Sequence, residues 1–273
     1  MERSVPGMCF LVAAVAIAIA AGSWWMQRIV FTPDSTRETA AAILSDPDIR
    51  LDINSLVSAA SAPAIGRSVT EVSTEVEVSV LSTRAGAAMM GPIVESLHER
   101  VIGVRDEPVQ ITGSQMIDIV RDQAAADAPS ITMPVDRIGT LNTIRIALTW
   151  SMLGALALAG LSILAGLVTR PERRDVVRGI GETALAVAAA MLVFGYFLPV
   201  HLVPSIDNQT WMGLVPRLAL RTLRVGLGTS AVRAVVGGLA LRAAAGAGRR
   251  RQWSSPGAAS PTRYRAGRDA GWR

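Results

Sequence analysis

Two stretches, Ile146 to Thr169 and Thr183 to Ile206, run for 24 residues each without a charged side chain. A third, Met8 to Met26, runs for 19 residues inside the uncharged interval between Arg3 and Arg28. At 1.5 Å of rise per residue, about 20 apolar residues cross the ~30 Å hydrocarbon core of a bilayer. These runs predict an integral membrane protein of mainly α class. The composition agrees, with 50% hydrophobic and only 18% charged residues. The first run is expected to stay as a span and not to be cleaved as a signal peptide, because Glu2 offsets Arg3 and the run exceeds a usual signal core. Trp24 and Trp25 fall where an interfacial aromatic belt would place them.

The connection between the second and third runs, residues 170–178, holds Arg170, Arg173, Arg174 and Arg178 against Glu172 and Asp175. Arginine in a short loop beside a span marks the cytoplasmic side, so this hairpin predicts residues 29–143 to be extracytoplasmic and the N-terminus cytoplasmic. All 27 basic residues are arginine. They are unevenly placed: residues 28–145 carry a net charge of −6 and the remainder +11, which together give the whole-chain +5. Twelve arginines lie from Arg217 onward. Leaving all of them outside would violate the orientation rule, which predicts a fourth span from about Val225 to Ala247 with Arg217 to Arg224 at the outer interface. In that span Arg233 is the one deep charge, and Arg242 reaches inward to join Arg249, Arg250 and Arg251.

The expected organisation is a first transmembrane helix in 1–28, an extracytoplasmic helical domain in 29–143, and transmembrane helices two and three in 144–206. An outer interfacial segment with the fourth transmembrane helix follows in 207–248, then a disordered basic cytoplasmic tail in 249–273. The tail has seven arginines, one acid and many Gly, Pro and Ser residues, too few apolar groups to bury a core. Its arginines, with Arg233 and Arg242, are candidates for contact with anionic lipid head groups or a partner.

Within 29–143 the signals are mainly helical. Asp34 is expected to cap a helix over STRETAAAILS, and Asp46-Pro47 to cap and open a second that ends at or before Pro63. The valine-rich stretch RSVTEVSTEVEVSVLS fits helical spacing at Val69, Val72, Val76 and Val80 and strand alternation at Val76, Val78 and Val80; the lack of bounding turn residues favours helix. A helix from Pro92 to Val101 stopping at Gly103, a short strand in EPVQITG and a last helix capped by Ser114 complete the domain.

A span followed by FTPD (Phe31 to Asp34), Arg37, LSDPDIR (Leu44 to Arg50) and an isolated histidine in HERVIG (His98 to Gly103) resembles a group of uncharacterised multi-pass envelope membrane proteins of high-GC Gram-positive bacteria. The resemblance covers roughly Trp25 to Leu167. It implies a cell-envelope location and a helical extracytoplasmic domain, and it implies no activity.

Chemistry is sparse. Glu95, His98 and Glu99 stand at i, i+3 and i+4 and could share one helical face. Glu-x-x-His is half of a di-metal carboxylate site, but His201, the only other histidine, has no such partner. A solvated or packing face is the expected role, and no metal or cofactor is expected. The lone Cys9 excludes an internal disulfide and a cysteine zinc site. There is no G-x-S-x-G, GLGTS (Gly226 to Ser230) lacks the rest of a phosphate loop, and NQT at Asn208 is a chance sequon. Ala14, Ala18 and Gly22, and Ala147, Ser151, Ala155 and Ala159, form small-residue stripes suited to close helix contact or self-association. The expected function is therefore a non-enzymatic envelope interaction or scaffold protein, whose partners are the bilayer and other envelope proteins and not nucleic acid. The alternatives are a transporter or channel component, with Arg217, Arg221, Arg224 and Arg233 along an anion path, and an enzyme built on Glu95, His98 and Glu99.

Overall fold

The computed structural model describes residues 5–33, 36–169, 171–206 and 210–253, with side chains to Gly246 in the last helix. The described chain is mainly helical, and three of its helices are long and apolar enough to cross a membrane. They are α1 (Val5–Val30), α8 (Gly139–Val168) and the helix that begins as α9 (Arg173–Leu192) and continues through π-helical and 3-10 turns to Ser205. Pro199, which has no N–H to give the α-ladder, stands inside the π-helical stretch. A fourth long helix, α10 (Leu214–Trp253), is unbroken over 40 residues.

Between α1 and α8 lie α2 (Arg37–Ile43), α3 (Pro47–Ile65), α4 (Val69–Val76), α5 (Arg84–Met89), α6 (Gly91–Val101) and α7 (Gly113–Val120). Their boundaries follow from local chemistry. Thr36 caps α2 by accepting from the Thr39 amide; the expected cap, Asp34, lies outside the described residues. Asp46 caps α3 as expected, with Pro47 in the first turn, but the helix runs past Pro63 to Ile65. It stops where Gly66 adopts φ 67°, a left-handed cap for which a side chain would be strained. The valine-rich stretch is helical throughout: Ser68 and Glu71 form a capping box, and α4 passes into a π-helical turn from Glu77 to Leu81. Val72, Val76 and Val80 point into the core, while Val78 is exposed. Helix α7 begins two residues earlier than expected: its cap is Thr112, whose amide donates to Gln115 Oε1 at 2.9 Å, and not Ser114. The short strand β1 (Gln110–Ile111) pairs antiparallel with β2 (Ile131–Thr132), which the sequence patterns did not reveal.

The domain core does not stop at residue 143. It takes in Met26 and Val30 from α1, Leu141 and Leu148 from α8, and Trp211, Met212, Leu214, Val215 and Leu218 around the start of α10. Residues 214–224 are continuous with the rest of α10. They are the first turns of α10, with Leu214 and Val215 fully buried. At the other end the α10 backbone stays helical to Trp253, so the segment expected to be disordered from 249 begins as helix; the alanines of 243–245 favour it. Residues 254–273 lie outside the described chain.

In the bundle α1 packs against both α8 and α9, and α10 packs against α9, giving the row α8–α1–α9–α10. Cys9 and Phe10 face Gly166, and Gly181 faces Gly237. The start of α1, the α8–α9 connection and the last turns of α10 therefore share the end of the bundle away from the domain. Ala14, Ala18 and Gly22 are buried as a stripe requires. In α8 only Ala155 and Ala159 of the expected stripe are buried, with Leu148; Ala147 and Ser151 are exposed.

Candidate functional site

Where the domain meets the bundle, four elements enclose a cavity of about 450 Å³. Trp25, Arg28, Ile29, Thr32 and Pro33 come from the end of α1 and the turn after it, Thr39 from α2, His98 from α6, and Leu218, Arg221 and Thr222 from α10. Thr32 and Pro33 of FTPD and His98 of HERVIG, far apart in the chain, thus meet in one place.

Helix α6 positions the histidine by an ordinary amphipathic pattern, in which Val94, Leu97, His98 and Val101 form its buried face. The ring is 1% exposed, and its Nε2 lies 2.7 Å from the Val30 carbonyl oxygen. A carbonyl only accepts, so Nε2 carries the proton and donates. Burial pushes the His98 pKa down to about 4 against the opposing pull of the Val30 hydrogen bond, so the ring is neutral at neutral pH. Its second nitrogen, Nδ1, is then a buried lone pair, and no partner reaches it among the described residues.

The cation side of the cavity is built by α1 and α10. Arg221 donates from Nη1 to Thr39 Oγ1, which lies 3.0 Å from Thr36 Oγ1. One turn earlier, Arg217 Nε lies 3.3 Å from Asp46 Oδ2, while Asp46 Oδ1 caps α3 by accepting from the Asp48 amide at 3.1 Å. One carboxylate thus fixes both the start of α3 and the start of α10. Arg28 is exposed and makes no ion pair among the described residues.

The expected Glu95–His98–Glu99 face is not a convergent cluster. The His98 ring is turned inward to Val30, whereas the Glu99 carboxylate lies 3.8 Å from Arg105 and Glu95 is half-buried elsewhere on the helix. No group of three or more His, Cys, Asp or Glu side chains able to hold a metal occurs among the described residues. Nor do the arginines of α10 share one path. Arg217 and Arg221 are bonded to the domain, and Arg224 and Arg242 are exposed. Arg233 lies with Nη1 3.1 Å from Met191 Sδ and lines an apolar cavity of about 570 Å³ with Phe10, Ala13, Val176 and Ile180. Arg249, Arg250 and Arg251 fall in the last turns of α10, beyond the described side chains. Glu182 pairs with Arg178 at 2.9 Å, and His201 sits edge-on to Tyr196 with ring centroids 5.6 Å apart.

Sequence patterns singled out His98 for metal chemistry and missed the cavity it lines. Arg28 reads only as the flank of a span, and Arg221 as one of four arginines along an anion path. The available signal was the tryptophan pair followed by Arg28 at the end of an apolar run, where an interfacial site is expected. No protein-family model, curated protein or solved structure matches this chain.

Proposed function

We propose that this protein is a multi-pass, non-enzymatic interaction or scaffold protein of the cell envelope, in which α10 is the fourth crossing and the helical domain faces outward. The observation that carries this is the shared core: Leu214, Val215 and Leu218 of α10 and Met26 and Val30 of α1 are buried among domain side chains. A domain merely tethered to a membrane needs no such seam. A domain held in one orientation on its anchor can present a fixed surface to neighbours in the envelope.

The arginine distribution supports the orientation. Arg173, Arg174, Arg178 and Arg242 stand at the bundle end away from the domain, and α10 carries Arg249, Arg250 and Arg251 beyond it, as the positive-inside rule requires of a cytoplasmic face. Each arginine close to an anionic leaflet contributes about 1 kcal/mol of attraction. The second half of α10 supports the crossing, since Val225, Val232, Val235 and Leu239 are each more than half exposed, as lipid-facing side chains are.

Photo-crosslinking groups placed at Leu51 and Val78, exposed apolar positions on the domain, test the role in intact cells. An interaction protein gives discrete protein adducts from at least one of them. Normal folding and insertion with no protein adduct at either position would count against it.

A further inference from the structure

We propose that the cavity between domain and bundle binds a polyol phosphate, that is, a phosphate ester bearing a free hydroxyl, carried on a membrane lipid or free in solution. The assignment rests on the cavity itself and does not depend on the scaffold role. At about 450 Å³ the space is within the range of small-molecule sites, roughly 300–1,000 Å³. Its lining makes two distinct demands on an occupant.

The first comes from the guanidinium groups. Arg28 and Arg221 both line the cavity, and Arg28 has no ion-pair partner among the described residues. A guanidinium offers only donors, and phosphate oxygens satisfy them best. The second comes from His98. With Nε2 donating to Val30, Nδ1 is a pure acceptor in a side chain 1% exposed, and it has no partner among the described residues. A buried acceptor left unpaired is unfavourable, so a ligand that supplies the missing donor gains over one that does not.

Few chemical groups meet both demands. A carboxylate or sulfate offers no donor to Nδ1. A plain alcohol offers no anion to Arg28. An ammonium head group could donate, but it would sit beside two guanidinium groups and be repelled. A phosphate ester with a neutral hydroxyl fits both, and Thr32, Thr39 and Thr222 supply further hydroxyls to the same space. Trp25, at the end of a span-length apolar helix, places the cavity at the depth of lipid head groups.

The test uses the full chain in nanodiscs of phosphatidylcholine doped with phosphatidylglycerol, phosphatidylmethanol or phosphatidylethanolamine, with lipid retention read by native mass spectrometry. Phosphatidylglycerol and phosphatidylmethanol have the same charge and differ in the head-group hydroxyls. Wild type should retain phosphatidylglycerol about tenfold more than phosphatidylmethanol, the worth of one buried hydrogen bond. Arg28→Gln should lose the preference for either anionic lipid over phosphatidylcholine. His98→Gln, whose amide nitrogen can still donate to Val30 but which has no Nδ1, should retain both anionic lipids equally. Thermal protection by glycerol 3-phosphate in undoped discs would assign the site to a soluble ester, and protection by phosphatidylglycerol alone to a lipid; either supports the proposal. Equal retention of phosphatidylglycerol and phosphatidylmethanol by wild type with no protection by glycerol 3-phosphate would overturn it, as would preferential retention of phosphatidylethanolamine. The wild-type comparison stands even if a variant fails to fold.

Discussion

The two halves of α10 are parts of one helix held by different physics. Its first turns are built like the interior of a water-soluble domain. Leu214, Val215, Leu218 and Ala219 are buried, and the polar neighbours are bonded outward, Arg217 to Asp46 and Arg221 to Thr39. The second half is built like a membrane helix. Its contact with α9 is made through glycine, and a Cβ added at Gly237 would stand 2.9 Å from the Gly181 carbonyl oxygen, so only glycine lets the two backbones approach this closely. Its large apolar side chains, Val225, Val232, Val235, Val236 and Leu239, point away from the protein. The same residue types thus sit inside in one half and outside in the other. The surroundings of leucine and valine change along one continuous helix.

This contrast predicts a steep difference in sensitivity. Leu218→Ala should cost about 3–4 kcal/mol, as expected for a fully buried leucine. Leu239→Ala, at a site 62% exposed, should cost far less in detergent. Thermal melts of the two variants in the same detergent measure this directly, and equal losses would erase the distinction between the halves.

The domain-side half shares a cavity with His98, which gives this region a pH dependence that the far half lacks. His98 titrates near 6.5 when unfolded and is pushed down to about 4 by burial in the folded chain. The unfolded state therefore takes up the proton first. Stability from this group is complete above about 6.5 and is lost as pH falls from there to about 4, by about 3 kcal/mol in all. Denaturation followed by tryptophan fluorescence across this range should show the slope, and His98→Gln should flatten it.

In the far half, Gly237→Ala should cost about 2 kcal/mol through overpacking against Gly181 and Leu185, while leaving the pH slope unchanged. The smallest effect is expected at the seam. Arg217→Gln removes an ion pair whose arginine is 37% exposed, and screening by solvent limits the loss to about 1 kcal/mol or less. A larger loss would mean that the Asp46–Arg217 pair, not apolar burial, joins α10 to the domain.

The three helices long and apolar enough to cross a membrane were legible because hydrophobicity over about 20 residues is a long, redundant signal. The caps at Asp46 and Ser68 and the helical character of the valine-rich stretch were legible because their chemistry is local. What escaped was non-local. The burial of Trp211 to Leu218 in a domain that is complete in sequence some 70 residues earlier depends on how α1, α9 and α10 stack. A helix over Val225 to Ala247 was expected, but its continuation back to Leu214 and on to Trp253 was not. The candidate site draws on residues 25 to 222; Trp25, His98 and Arg221 each stood out for a separate reason, and nothing local in the sequence joined them.

The central claim is that α10 crosses the membrane. Single cysteines at Asn208 and Ser260, in a chain with Cys9→Ser, can be challenged in intact cells with an impermeant thiol reagent. A crossing predicts that the cysteine at 208 reacts and the one at 260 does so only after the membrane is opened. Reaction at both positions in intact cells would put the two ends of α10 on one side and contradict the account.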